Sequence, residues 1–203
     1  ANRIANLNIY KWDLISHEGN PVFSSNGLKL ETNSSLNEKL QLDILFVCSG
    51  LNIKSKTNSN MFGTLRKLSR QGMKLGAICT GTYLLAKAGL LSNRRCTIHW
   101  ENNTSIREEF SDLNITNNLF EIDKDRFTCS GGTSALDMML NIISKNQGHK
   151  LAKEVSDQLI HERIREPQDF QRMDLRNRLG VSHPKIISSV KTMEENLEEP
   201  LSQ

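Results

Sequence analysis

The sequence predicts an α/β fold: a mostly parallel sheet covered on both faces by helices. Three observations predict it. Strand-like apolar segments alternate with helical ones along most of the 203 residues, the pattern of strand–helix–strand units whose crossovers place helices on the sheet faces. The stretch LGAICTGTYLLAKAGLL, residues 75–91, runs a short apolar strand into a glycine-flanked cysteine and out again as an amphipathic helix. Finally, 37% hydrophobic and 24% charged residues in a chain of this length suit one core of ordinary size with an appendage.

Taken in order, residues 10–16 and 42–48 read as strands. Between them EGNPVFSSNGLKLE carries Gly19, Pro21 and Gly27, the punctuation of a hairpin-like excursion of short edge strands. Residues 61–71 have helical spacing, followed by the strand ending at Ile78 and a helix with Tyr83, Leu84, Ala86, Leu90 and Leu91 on one stripe. Residues 94–99 form a fourth predicted strand, 100–110 a helix, and LFEIDKDRFTCSGG a hairpin turning at residues 123–125. Residues 133–146 put Leu136, Met139, Leu140 and Ile143 on one face, a helix packed on the sheet. After Gly148 the charge density rises: 150–165 reads as a surface helix and the following stretch as a linker. The pattern then resumes behind Ser182 and Pro184, with Ile186, Ile187, Val190, Met193 and Leu197 as the apolar stripe of a last helix. A lone stripe of this kind docks on a partner element.

A net charge of +3 is too small to argue for nucleic acid or an acidic membrane. No apolar run is long enough to cross a bilayer, and the opening Ala1-Asn2-Arg3 does not read as a signal peptide. Cys48, Cys79, Cys96 and Cys129 show neither C-x-x-C pairing nor histidine clusters. The expectation is a reduced, cytoplasmic protein with no structural metal and no cofactor.

Cys79 stands on the predicted strand-to-helix turn, where a side chain is held out at the carboxyl end of a parallel sheet and Gly76 and Gly81 relieve crowding. Amides at the start of the next helix favour thiolate, so a depressed thiol pKa is expected. The plainer alternative is a buried cysteine in an ordinary turn.

Three segments, GAICTGTYLLAKAGLLSNRRCTIHWE, FTCSGGTSALDMMLNII and HPKIISSVKTMEENLEEPLS, together resemble bacterial AraC-family transcriptional regulators whose sensor is a class I glutamine-amidotransferase-like (PfpI-like) domain. The family's T-x-H-W is matched by Thr97, His99 and Trp100. Its S-G-G-T-x-x-L-D is matched by Ser130, Gly131, Gly132, Thr133, Leu136 and Asp137. The resemblance implies a flavodoxin-like sheet sandwich over residues 1–148, with the family's first strand preceding Ala1. It further implies a helix and linker over 149–182, and over 183–203 the first helix of a helix-turn-helix domain cut short of its recognition helix. The implied partners are a small-molecule effector, a second copy of the chain, and DNA only through the missing C-terminal domain.

Against that family the chemistry of Cys79 is incomplete. Proteases resembling this fold place a histidine directly after the cysteine, where this chain has Thr80. Glutamine amidotransferases supply a His-x-Glu later, and neither His161-Glu162 nor His183-Pro184-Lys185 fits that spacing. Related cysteine enzymes also carry an acid before the region where this chain begins. His99 is the remaining candidate base, with a purely structural hydrogen-bonding role as its equal alternative. Ligands of open α/β sheets sit beyond the carboxyl ends of the strands, which here are Ser49, Gly50, Cys79, Thr80, His99, Trp100 and Glu101, with Ser130 and Gly131 at the rim. Elbow amides suit a carboxylate, and a Trp face beside a Glu suits an ammonium group, so a zwitterion such as an amino acid or betaine-like compound is expected. For Trp100, packing or a dimer contact is the competing role. Two function classes follow: a non-catalytic effector sensor of a regulator, or a cysteine hydrolase or deglycase using Cys79 and His99. A dimerisation domain with a vestigial crevice is a third.

Overall fold

The computed structural model describes residues 1–36, 38–56, 59–172, 178–181 and 183–196. In chain order these form α1 (Asn2–Ala5), β1 (Ile15–Ser16), β2 (Val22–Phe23), β3 (Lys29–Leu30), β4 (Ser34–Ser35), β5 (Ile44–Ser49), α2 (Ser59–Arg70), β6 (Lys74–Cys79) and α3 (Gly81–Lys87). There follow β7 (Arg95–Cys96), α4 (Asn103–Glu109), β8 (Asn114–Ile115), β9 (Phe120–Asp123), β10 (Arg126–Cys129), α5 (Ser134–Gln147), α6 (His149–Gln158) and α7 (Pro184–Glu195). Short 3₁₀ turns occupy Ile53–Lys56 and Trp100–Asn102.

Side-chain alternation along the central strands decides the architecture. The sheet runs β5-β6-β10-β9, with β5, β6 and β10 parallel and β9 antiparallel at the edge. Leu45, Val47, Leu75 and Ala77 turn to one face, into a cluster with Leu65 of α2, Leu84 and Leu85 of α3 and Ile106 of α4. Ile44, Phe46, Ile78 and Phe127 turn to the other, where Met138 and Ile142 of α5 cover them. A period of two along each strand thus forces helices onto both faces. Phe46 meets Phe127 edge-on, ring centroids 6.3 Å apart, in space left by Gly76, whose Cβ would stand 2.2 Å from the Phe46 ring.

The main sheet is mostly parallel, as the alternation predicts, and several local expectations change. Of 10–16 only Ile15–Ser16 is strand; it pairs in parallel with β4, while Asn33 takes the Leu14 amide on its side-chain oxygen at 2.6 Å. The predicted excursion is the β2–β3 hairpin. Of 94–99 only Arg95–Cys96 is strand, and it pairs with β8 outside the main sheet. The reason lies in Thr97: its N–H goes to Thr128 Oγ1 at 2.9 Å and its carbonyl accepts from Thr82 Oγ1 at 2.8 Å, so side chains take its backbone groups. The helix expected over 150–165 stops at Gln158. Ile160 turns left-handed (φ 54°) and the His161 amide returns to the Ser156 carbonyl at 3.0 Å, which carries the chain back over α5.

Two units are distinguished along the chain, Ala1–Gln171 and Arg172–Gln203. Within the second, α7 starts with proline at its first turn behind His183, and Glu194 takes the Arg178 guanidinium at 2.6 Å. Along its predicted stripe Ile187 and Val190 are half-buried, and Ile186 and Met193 exposed; Ser182 and Leu197 lie outside the described residues. Among the described residues no helix is long and apolar enough to cross a membrane.

The crossing of α3 over β5 depends on Gly81, where a Cβ would sit 2.2 Å from the Val47 carbonyl oxygen. Backbone cannot swing aside as a flexible side chain does. Gly81→Ala is therefore expected to lower unfolding free energy by about 1–3 kcal/mol, the usual cost of overpacking, read from the urea midpoint at unchanged m-value.

Candidate functional site

The sharpest feature of the site is a backbone one. Cys79 closes β6 with φ 58°, a left-handed conformation that costs a side-chain-bearing residue about 1–3 kcal/mol. Position 79 ends a strand held on both sides, by β5 in register with Ser49 and by β10 one residue earlier, and α3 starts two residues later. The reversal has to be made at Cys79 and Thr80. It turns the cysteine out at the carboxyl end of the sheet, half-buried.

Gly131 closes over that cysteine. It too is left-handed (φ 91°), and a Cβ on it would lie 2.6 Å from the Cys79 Cβ and 2.9 Å from its Sγ. The loop is fixed by Ser134, whose hydroxyl donates to the Gly131 carbonyl at 2.6 Å and pairs with Ser130 at 3.1 Å; Ser130 is itself buried. Thr80, also buried, donates its hydroxyl to the Gly50 carbonyl at 2.6 Å. This ties the elbow to the end of β5.

A cleft of about 490 Å³ opens beside the elbow, lined by residues 50–54, Thr80, Glu101 and Asn102. Of the sequence-predicted residues, Gly50, Thr80 and Glu101 line it, with Ser49, Cys79 and Gly131 adjoining along the strand ends. His99 and Trp100 lie beside Glu101, outside that lining. His99 Nδ1 takes the Glu101 amide at 3.4 Å and stands 3.7 Å from its carboxylate, and its ring lies 5.5 Å from that of Trp100. Among the described residues no hydrogen bond joins His99 to Cys79. The wall from Leu51 to Lys54 was not legible in the sequence: LNIK has no periodicity, and only its position after a strand end marks it. Lys54 on that wall is 3.0 Å from Glu109, while Tyr83 donates to the same carboxylate at 2.8 Å.

The electrostatics reverse the expected thiol. Burial pushes the Cys79 thiol above its ordinary value; the Thr80 amide works against that rise and the Glu101 carboxylate adds to it. The one favourable amide, that of Thr80, does not outweigh desolvation and a like charge. Cys129 rises through burial as well, and Cys96, wholly buried, is pushed up to about 12. Among the described residues no three His, Cys, Asp or Glu side chains gather to hold a metal ion.

Comparison with known proteins fits this arrangement. The HTH-type transcriptional regulator GbdR of Pseudomonas aeruginosa is 39% identical over 201 residues, which are 99% of this chain and 55% of that protein. The chain thus spans little more than half the length of this curated relative. The crystal structure of an AraC family transcriptional regulator from Pseudomonas putida superposes with a TM-score of 0.70 at 28% identity, covering 77% of this chain and 85% of that one. An enzyme is also related: isonitrile hydratase of Pseudomonas putida is 29% identical over 147 residues, 68% of this chain and 60% of the enzyme. The model of the DJ-1/PfpI family matches residues 3–145, and the chain therefore belongs to the DJ-1/PfpI family.

Proposed function

We propose that this chain is the effector-sensing and dimerising part of a cytoplasmic AraC-type transcription regulator, and that it holds a small cationic or zwitterionic effector without turning it over. The observation that carries this reading is the company Cys79 keeps. Next to it stand a threonine whose hydroxyl is committed to Gly50 and, on the lining of the adjoining cleft, a carboxylate whose charge disfavours thiolate, where a hydrolase needs a base. The same carboxylate suits the cleft to a cation, because the other charged residue of the lining, Lys54, is paired with Glu109. The regulators to which the chain is similar support the class, and DNA contact is assigned to a helix-turn-helix domain such as the name of GbdR declares.

The hydrolase alternative keeps one observation in its favour, the strained elbow itself. Purified chain should show no peptidase, glutaminase, glyoxalase or isonitrile-hydrating turnover; turnover abolished by Cys79→Ala would replace the sensor reading. Alkylation of Cys79 should instead be slow at pH 7 and keep rising as pH passes the ordinary thiol value, since a raised pKa leaves little thiolate below it.

Trimethylglycine should raise the melting temperature of the chain in a concentration-dependent way, reaching about 2.7 kcal/mol of added stability at a hundred times its Kd. Glu101→Gln should weaken its binding about fivefold, the scale of one ion pair in a partly exposed setting, and more than Trp100→Ala does. 3,3-Dimethylbutanoate, the isostere whose head is an uncharged tert-butyl group, should lose no affinity on Glu101→Gln. Equal losses for cation and isostere would remove Glu101 from recognition.

These 203 residues carry nearly balanced charge, 26 Lys and Arg against 23 Asp and Glu. The chain alone should therefore show no operator-selective DNA affinity. A salt-sensitive, sequence-selective gel shift with this chain would place DNA recognition inside it.

A further inference from the structure

Beyond α6 the chain does not leave the first unit at once. His161 and Arg165 converge on Asp137 of α5, which is fully buried: His161 Nε2 lies 2.8 Å from Oδ1, the Arg165 amide donates to Oδ1 at 2.8 Å, and its guanidinium Nε donates to Oδ2 at 2.8 Å. The same guanidinium donates to Thr133 Oγ1 at 2.6 Å. Farther on, the Pro167 carbonyl accepts the Leu119 amide at 2.7 Å and Phe170 bridges to Asn118. Gln171 donates its side-chain amide to Thr97 Oγ1 at 3.0 Å and to the Asn118 carbonyl at 2.9 Å.

Both landing points adjoin elements that hold the Cys79 elbow. Thr133 follows Gly131 and Gly132, and Gly131 is the residue pressed on the Cys79 sulfur. Thr97 precedes His99 by two positions and fixes the elbow helix through Thr82. We propose that residues 161–171 are a strap that responds to occupancy of the Cys79 site and passes the response to the chain beyond Gln171. This rests on the sensor reading above and assigns its regulation.

The two ends of the strap are unequal. At Asp137 a buried carboxylate is met by a guanidinium and an imidazole, so breaking that end leaves an uncompensated charge in the interior. At Thr97 the contact is neutral, and the Gln171 Oε1 atom is buried with no hydrogen-bond partner among the described residues. Release of Gln171 hydrates that orphaned acceptor and so offsets part of the loss of its two donated bonds. Anything that displaces Gly131 at the sulfur moves Thr133 with it, and the Arg165 end follows as the hinge while the Gln171 end lets go.

Iodoacetamide, which adds a carbamidomethyl group to the Cys79 sulfur, tests this in the 203-residue chain. Carbamidomethylation should speed hydrogen exchange of the Leu119 amide, the donor to Pro167, by about fivefold, the lower range of coupling between linked sites. Reciprocally, Gln171→Ala should raise the Cys79 alkylation rate about fivefold relative to exposed Cys48, with buried Cys96 and Cys129 still protected. Failure of either arm overturns the strap, because the strap requires that the Cys79 site both move Gln171 and be opened by its loss. A rise at all four cysteines together also overturns it, since the effect is then global loosening. A melting shift with trimethylglycine beside an unmoved strap defeats this inference and leaves the sensor reading; a responsive strap with no such shift does the reverse.

Discussion

The left-handed turn at Cys79 is the constraint on which the rest of the site depends. A residue at φ 58° stays there only if its surroundings leave no cheaper conformation. Here β5 and β10 hold the strand up to Ile78, Gly81 lets α3 pass within contact of the Val47 carbonyl, and Gly131 presses on the sulfur from the far side. Removing the side chain at 81 and at 131 is what makes room for the one at 79. The geometry of a nucleophile elbow is therefore a packing property of two glycine-dependent approaches, and it persists whatever chemistry the thiol retains.

The geometry of the turn is thus separable from its chemistry. An elbow presents a sulfur and a few amides; reactivity needs in addition a base and a way to stabilise thiolate. In this chain burial and Glu101 both act against the thiolate, and the hydroxyl of the next residue, Thr80, is used to hold Gly50. A negative carboxylate beside a neutral thiol is a poor nucleophilic centre and a reasonable seat for a cation.

Legibility in the sequence followed how locally each feature is encoded. The elbow was legible because strand, glycines and helical stripe are contiguous within residues 75–91, and the β9–β10 hairpin because its turn residues separate two alternating runs. The strand expected at 94–99 shrank to two residues because Thr97 exchanges its backbone bonds with Thr82 and Thr128, partners far away in the chain. The helix expected over 150–165 ended early for a similar reason: its propensity continues, but His161 and Arg165 are drawn to Asp137, which is buried on another helix. At the site, Gly50, Thr80 and Glu101 were within reach of the rule that ligands lie beyond strand ends. Residues 51–54 were not, since a 3₁₀ turn leaves no hydrophobic period, and the thiol's raised pKa was hidden because desolvation is set by tertiary packing.

The motif S-G-G-T-x-x-L-D reads at first as one functional patch, and the structure divides it in two. Its glycines face the elbow: Gly131 sits on Cys79, and Gly132 (φ 57°) turns the chain into α5. The polar residues that follow the glycines meet Arg165 instead. Thr133 and Asp137 are four apart, one helical turn, so both lie on the face of α5 that meets Arg165, and the guanidinium spans them with one donor to each side chain. The spacing of the motif is thus the spacing needed to bind a glycine loop to a sulfur on one side and an arginine on the other. Within eight residues the sequence thus links the Cys79 elbow, through Gly131, to residues 161–165, through a buried carboxylate whose charge is stranded if both partners leave.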